Sequence, residues 1–330
     1  MPSRAPDNNQ VLPGTSRCDV PQKLIRSREN TGGDTRLRKN AKASTSNPEN
    51  LPDFSQVFKP DDPGLEKFQA LVLQYYHSYG RKMLWRETTD PYSILVSEIM
   101  LQQTQVERVA AKYPEFIKMF PDFKSLAEAP LGDILQVWQG MGYNRRAIAL
   151  QKCAILVNCE YSGHLPEDPE TLVQFPGIGK ATAASIAAFA FNRPVAFIET
   201  NIRRVFIHFF FRGRDDVHDD EIFPLVQKTV YKKDPRTWYW SLMDLGTALK
   251  KGRANANLRS AHYSRQSRFE GSDRKVRGAI LRLLVQSGEM GLAELAGALS
   301  EPADRVSSLL ASLKQEGFII KNHEKFRIAA

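Results

Sequence analysis

The sequence predicts a mainly helical protein that ends in a small α+β unit. Three observations carry this expectation. Between about residues 60 and 268, apolar residues recur at three- and four-residue spacing and little alternates as a strand would. Pro121, Pro130, Pro166 and Pro176 fall where one helical pattern stops and another starts. Beyond residue 271 the helical segments shorten, and FIIKNHEKFRIA alternates as two strands around Asn322, His323 and Glu324.

Taken in order, residues 1–55 are rich in Ser, Asn, Pro, Gly, Arg and Lys and lack apolar periodicity, which reads as a disordered basic tail. A transit peptide is the alternative, and Asp7, Asp19 and Glu29 count against it. Residues 56–268 form the expected helical domain. Its helices are read from KFQALVLQYYHSY (67–79), PYSILVSEIMLQQTQVERVAAKYPEFIKMF (91–120), LGDILQVWQGMG (131–142), GYNRRAIALQKCAILVNCEY (142–161) and TLVQFPGIGKATAASIAAFAF (171–191). In residues 271–330, VRGAILRLLVQSG, GLAELAGALS and ADRVSSLLASLKQEGF give three short amphipathic helices before the hairpin. That order is a winged-helix pattern, with 303–317 as recognition helix and Lys321 to Lys325 as wing. An interaction domain that never meets nucleic acid is the competing reading.

Lys and Arg number 46 against 37 Asp and Glu, a net charge of +9, so an acidic partner is expected, nucleic acid ahead of an anionic membrane. An ordinary basic soluble protein stays open on charge alone. There is no apolar run of membrane-spanning length and no signal-peptide core at the start. Cys18, Cys153 and Cys159 make neither a disulfide framework nor a metal-ligand spacing. A reducing intracellular compartment fits (cytoplasm or nucleoid, the nucleus in a eukaryote), with Cys153 and Cys159 as buried thiols.

Three constellations carry chemistry. Pro176-Gly177-Ile178-Gly179 separates two helical segments, and a helix that starts after a glycine approach offers bare N–H groups to phosphate. A plain helix–turn–helix is the other reading. Glu98 interrupts the apolar face shared by Ile94, Leu95, Leu101 and Gln102; partial burial would lift its pKa toward neutrality and keep it able to donate a proton. A salt-bridged or surface glutamate is the alternative. In VAFIETNIRRVFIHFFF (195–211), Glu199 and Asn201 break another apolar run. Two carboxyls, one neutral and one charged, are what glycosidic cleavage requires.

The ordered set YGRKMLWRETTDPYSILVSEIMLQQTQVERV, APLGDILQVWQGMGYNRRAIALQKCA, FPGIGKATAASIAAFAF, FIETNIRRV and MDLG resembles the MutY-type adenine DNA glycosylases of the helix-hairpin-helix superfamily, over about residues 66–266. The resemblance implies a two-lobed glycosylase domain, its hairpin at about 172–190. The activity implied is base-excision repair: double-stranded DNA is bent, adenine is flipped from a mispair with 8-oxoguanine or guanine, and its N-glycosidic bond is hydrolysed. It assigns Glu98 as proton donor to adenine N7 and Glu199 to a position where relatives carry an aspartate that stabilises the cationic sugar. Gln103 and Thr104 match residues near the lesion base, and Tyr143 a wedge in the base stack. Trp85 and Arg86, with Asn201, fall near the adenine pocket. Gly177, Gly179 and Lys180 match the phosphate-gripping hairpin, where carbonyls of Val173, Phe175 and Ile178 would hold Na⁺ or K⁺. Bifunctional relatives place a Schiff-base lysine where this chain has Ala181, so a monofunctional hydrolase, acting as a monomer, is expected.

Four departures qualify the resemblance. The positions of the four cluster cysteines hold Lys250, Asn257, Ser260 and Gln266, none able to supply a thiolate, so no iron–sulfur cluster is expected; the segment is basic instead, with Lys251, Arg253, Arg259 and Arg265. Glu199 replaces aspartate. Trp240 stands near a Glu or Gln that relatives direct at adenine. The C-terminal domain that reads 8-oxoguanine is replaced by the winged helix. A thymine or uracil mismatch glycosylase, and a DNA-binding regulator whose catalysis has decayed, therefore remain as alternatives.

Overall fold

The computed structural model describes residues 54–251, 255–264 and 269–329, all within one compact unit, Thr45–Ala330. Its helices begin where short polar side chains can satisfy the first free N–H groups. Asp61 accepts from Gly64 N–H at 2.9 Å to open α1 (Asp62–Tyr79). Asp90 accepts from Ser93 N–H at 2.9 Å, with Pro91 at the first helical position, to open α2 (Pro91–Leu101).

The single helical pattern over 91–120 divides in two, α2 and α3 (Val106–Met119). The reason lies at the corner. Gln103 takes a left-handed φ of 52°, and the buried Arg146 guanidinium donates to the carbonyls of Ile99, Met100 and Gln102, the groups that a continuing helix would have used. A capping box between Asp122 and Ser125 starts α4 (Phe123–Glu128); α5 (Leu131–Trp138), α6 (Arg145–Glu160) and the one-turn α7 (Pro169–Leu172) follow. The hairpin glycines then lead into α8 (Lys180–Phe191). The remaining helices of this part are α9 (Thr200–Phe210), α10 (Asp219–Thr229) and α11 (Pro235–Lys251).

Packing sorts these helices into two lobes. Helices α2 to α8 pack on one another, while α1 pairs with α10 and α11, and α9 with α10 and α11. The second lobe closes over Phe58, Phe68, Phe206, Phe209, Phe210 and Trp238, whose ring centroids lie 5.0 to 6.1 Å apart. Because α1 precedes the first lobe in the chain and α9 follows it, the sequence crosses between lobes twice. A cleft opens at that crossing. Residues 1–53 of the expected tail lie outside the described residues, but Phe54 and Ser55 already belong to the fold: their carbonyls are bonded to His208 (2.8 Å) and to Arg212 Nη1 (2.5 Å).

The C-terminal part contains α12 (Asp273–Ser287), β1 (Glu289–Gly291), α13 (Leu292–Leu299), α14 (Ala303–Gln315), β2 (Ile319–Asn322) and β3 (Lys325–Ile328). The sheet runs β1–β3–β2, antiparallel, with Glu289 opposite Arg327 and Ile319 opposite Ile328. Strand β1 was not expected, since three residues ending in a glycine cannot show an alternation. Ile280, Leu284, Leu295, Val306, Leu310, Leu313 and Phe318 are buried here, and α12 packs against α5. No helix among the described residues is long and apolar enough to cross a membrane.

Candidate active site

The cleft between the lobes has a volume of about 340 Å³ and is lined by residues from several elements. Helix α2 supplies Glu98, α8 Ser185 and Phe189, the start of α9 Asn201, and α11 Trp240, Met243 and Thr247. Arg81, Met83, Trp85 and Arg86 come from the turn after α1. Of the residues expected at a site, Trp85, Arg86, Glu98, Gln103, Thr104, Glu199 and Asn201 all line this cleft. Tyr143 and the hairpin residues Gly177, Gly179 and Lys180 lie outside the lining, although the next two residues of α8, Ala181 and Thr182, are in it.

Glu98 sits among Ile94, Ser97 and Leu101 of its own helix. Burial pushes its carboxyl up to about 7, the nearby charge of Glu199 pushes the same way, and the Ser185 hydroxyl and Arg86 oppose them. Ser185 Oγ lies 2.5 Å from Glu98 Oε2 and 2.9 Å from the Thr182 carbonyl. The sequence reading missed Ser185. Its only signal was a pair of hydroxyls, Thr182 and Ser185, three residues apart in an otherwise alanine-rich helix.

Glu199 is the N-cap of α9. Oε1 accepts from the N–H groups of Asn201 (2.7 Å) and Ile202 (2.9 Å), and Oε2 accepts from Asn201 Nδ2 at 3.3 Å. A glutamate is one methylene longer than the usual cap; here the side chain folds back onto its own helix, so the extra length is taken up beside the cleft. Burial raises its pKa, while the two backbone N–H groups and the charges of Arg204 and Arg203 pull it down. Asn201 Oδ1 in turn accepts from Arg204 Nη1 (2.7 Å), which also reaches the Gly246 carbonyl (2.7 Å).

The opposite wall is an ion cluster. Asp244, almost fully buried, accepts from Arg86 Nη1 and Nη2 at 2.9 Å each and from the backbone N–H and Nε of Arg81 at 2.7 Å each. The Arg86 guanidinium also lies 5.5 Å from the centre of the Trp240 ring, and Trp240 stacks on Phe189 at 5.8 Å. Arg86 Nε is buried and has no hydrogen-bond partner among the described residues. Beside the ion cluster, Trp240 and Phe189 make this wall aromatic.

Two corners flank the cleft mouth, and both carry a non-glycine residue with positive φ: Gln103 (52°) and Tyr143 (48°). Arg146 ties them together. Its Nη2 donates to Thr104 Oγ1 (2.9 Å) and to the Gly142 carbonyl (3.1 Å), while Nη1 holds the end of α2. At the hairpin, Gly177 has φ of 74° and a Cβ there would meet that of Ala149 at 2.8 Å. Gly179 differs from the expectation: its backbone is extended (φ −90°, ψ 171°), open to any residue, and open space lies beside it. It caps α8 without a side-chain hydrogen bond, next to the exposed Lys180. The Phe175 carbonyl accepts from Ile178 N–H at 3.1 Å. Cys153 is buried against the Pro176 carbonyl (3.2 Å), but Cys159 is exposed near the end of α6, a correction to its reading as a buried thiol.

Where relatives would place cluster cysteines, the donors do not fit. Asn257 donates through Nδ2 to the Thr200 carbonyl (2.8 Å), Ser260 bridges to Val217, and Lys250 is exposed. Gln266 lies outside the described residues, as do Arg253 and Arg265. Among the described residues no group of three or more His, Cys, Asp or Glu could hold a metal ion.

Residues 96–227 match the family model of the HhH-GPD superfamily base excision DNA repair proteins. The chain is 32% identical over 267 residues to the adenine DNA glycosylase of Mycolicibacterium smegmatis, covering 75% of this chain and 91% of that protein. It is 36% identical over 187 residues to the adenine DNA glycosylase of Buchnera aphidicola subsp. Baizongia pistaciae, covering 55% of this chain and 52% of that one; the chain thus spans about half the length of that relative. A solved thermostable thymine-DNA glycosylase superposes with a TM-score of 0.49 at 26% identity, covering 55% of this chain and 85% of that chain. With a helical two-lobed cleft, a glycine hairpin and near full-length similarity to a named relative, the chain belongs to the adenine DNA glycosylase family of the HhH-GPD superfamily.

Proposed function

We propose that this protein is a monofunctional DNA glycosylase that removes adenine mispaired with 8-oxoguanine or guanine. The observation that carries the reading is the pair of carboxyls on one cleft, with Glu98 protonated up to about 7. Glu98 donates its proton to N7 of the extruded adenine. The C1′–N9 bond then breaks with its electrons leaving on the base, and the carboxylate of Glu199 faces the positive charge left on the sugar. Water adds at C1′, and Glu98, now ionised, accepts its proton. Trp240 with Phe189 provides a stacking wall for the extruded base. Ala181 offers no amine for a Schiff base, so no lyase step follows.

Double-stranded DNA is the proposed partner, met by the α8 N-terminus, Lys180 and the two strained corners; a monovalent cation at the carbonyls of Val173, Phe175 and Ile178 belongs to the same proposal. The enzyme works without an iron–sulfur cluster, inside the cell wherever genomic DNA is kept. Iron and sulfide analysis of the pure protein tests the first point, and stoichiometric iron would overturn it.

The aromatic Trp240 favours one second reading, excision of thymine or uracil from mismatches, because it replaces a polar contact to the adenine edge with stacking that any base can use. Duplexes carrying 8-oxoguanine:A, G:A, G:T and G:U, incubated with protein and treated with alkali, separate the readings. Scission opposite 8-oxoguanine is expected. Scission only at G:T or G:U would replace the main proposal by the second, and duplex shifted in a gel but uncut would leave a binding protein.

A further inference from the structure

The C-terminal unit does not stand apart from the cleft mouth. It grips the loop that carries Tyr143 at two points. Arg274 of α12 donates through Nη1 to the Tyr143 hydroxyl at 2.5 Å, and its guanidinium lies 5.0 Å from the centre of that ring. The half-exposed Phe269 ring lies 5.4 Å from the same guanidinium. Two residues beyond Tyr143, Arg145 makes a bidentate pair with Glu316 at 2.6 and 2.8 Å, just past the end of α14. Arg277 and Ser312 hold Glu316 in place at 2.6 and 2.9 Å, and together these partners drive its pKa down to about 2. The glycosylase lobe contributes the third hold, since Arg146 lies 5.5 Å from the Tyr143 ring on its own side.

A tyrosine with φ of 48° costs free energy to keep, and persists only where its surroundings determine it. The surroundings here come largely from the other end of the chain. We propose that the C-terminal unit is a wedge holder: Arg274 is a positioning residue that fixes the Tyr143 ring in its strained corner, ready to enter the base stack when the opposite nucleotide leaves it. The inference rests on Tyr143 being the wedge. Arg274 touches neither the departing base nor its sugar. It lowers the loss of freedom that a mobile tyrosine would suffer on insertion, so its contribution appears only where a stack has to be opened.

The experiment compares single-turnover excision on a fully paired duplex with excision on a duplex whose target base sits in an unpaired bubble, using the mispair that the alkali assay identifies. Extrusion is followed in parallel by the fluorescence of 2-aminopurine at the target position. For Arg274→Ala the ratio of bubble rate to duplex rate is expected to rise about tenfold over wild type, the scale of one stacked cation and one hydrogen bond. Arg274→Lys, which keeps charge and donor, recovers most of the loss. The double variant with Tyr143→Ala is no slower on paired duplex than Tyr143→Ala alone. Glu316→Gln, which loosens the same loop without touching Tyr143, gives the same selective loss in smaller measure and stands in should Arg274→Ala melt below the assay temperature.

Equal losses on both substrates, or losses from Arg274→Ala and Tyr143→Ala that multiply, would overturn the inference. If Tyr143→Ala itself opens paired duplex normally, the wedge reading fails and this inference falls with it. A defective Tyr143→Ala beside a normal Arg274→Ala removes the wedge holder alone.

Discussion

At the residue scale the chemistry turns on how Glu98 keeps its proton. A buried carboxyl resists ionisation because the charged form loses its hydration, and the resulting pKa of about 7 leaves a usable acid at neutral pH. The rate should therefore fall as pH rises through about 7. The Ser185 hydroxyl favours the ionised form, so Ser185→Ala should move that fall to higher pH in a profile of kcat/KM; a fall that stays put or moves down would remove Ser185 from the site. Stability carries a mark of the same shift, in the same direction. The folded protein holds this proton more tightly than the unfolded chain, whose ordinary value is 4.5. The stabilisation is complete below about 4.5 and is lost as pH rises through about 7. Glu98→Gln, which abolishes the acid, should thus lose activity by three orders of magnitude or so, yet melt higher than wild type at pH 8 by a few kcal/mol of stability. Near pH 4.5 the two melting curves should converge. That trade is the expected signature of a group placed for function against its own solvation.

At the element scale, what mattered was legible where periodicity and capping act locally. Helix α2 could be read from its Asp-Pro start and its apolar face, and Glu98 stood out as the residue that broke that face. Other features need two distant segments to meet. The division of 91–120 depends on Arg146 reaching back over forty positions, and β1 exists only because β3 pairs with it. The MDLG segment was legible as a motif, but its purpose is tertiary. Gly246 lets α11 approach α9: a Cβ there would lie 2.5 Å from the Asn201 carbonyl oxygen and 2.7 Å from Asn201 Cβ. Gly246→Ala should cost about 1–3 kcal/mol and push Asn201 and the Glu199 cap off their positions, which thermal melting and excision rate together would detect. Asp244 two residues earlier is the counter-charge of a buried Arg86. Asp244→Ala leaves that guanidinium unpaired in low dielectric, a loss of about 3–5 kcal/mol. A variant within 1 kcal/mol of wild type in urea would show that water, not Asp244, satisfies Arg86.

For the whole molecule, net charge pointed to nucleic acid, but the fold decides which charges are available to it. Arg81 and Arg86 are spent on Asp244, Arg203 on Asp219, Arg277 on Glu316, and Arg305 on Asp273 and Glu301. Several of the basic residues counted in the sequence therefore hold helices together and cannot displace counterions from DNA. Composition could not reveal this, because a paired and an unpaired arginine are identical in a sequence. Lys180 is different: it is exposed, it opens α8 beside Gly179, and the uncapped helix N-terminus adds its own partial positive charge at the same spot. Binding to undamaged duplex should weaken with salt on a straight log–log line, losing about 0.9 in slope for each phosphate neutralised. Lys180→Ala should flatten that line by about one unit and weaken binding alike for matched and mispaired duplex, because a phosphate contact carries no base information. Arg203→Ala, equal in formal charge, should leave the slope as it was and lower the melting temperature instead. Fluorescence anisotropy across a salt series would separate the two variants, and a slope changed equally by both would mean that total charge, not its placement on the fold, governs the encounter with DNA.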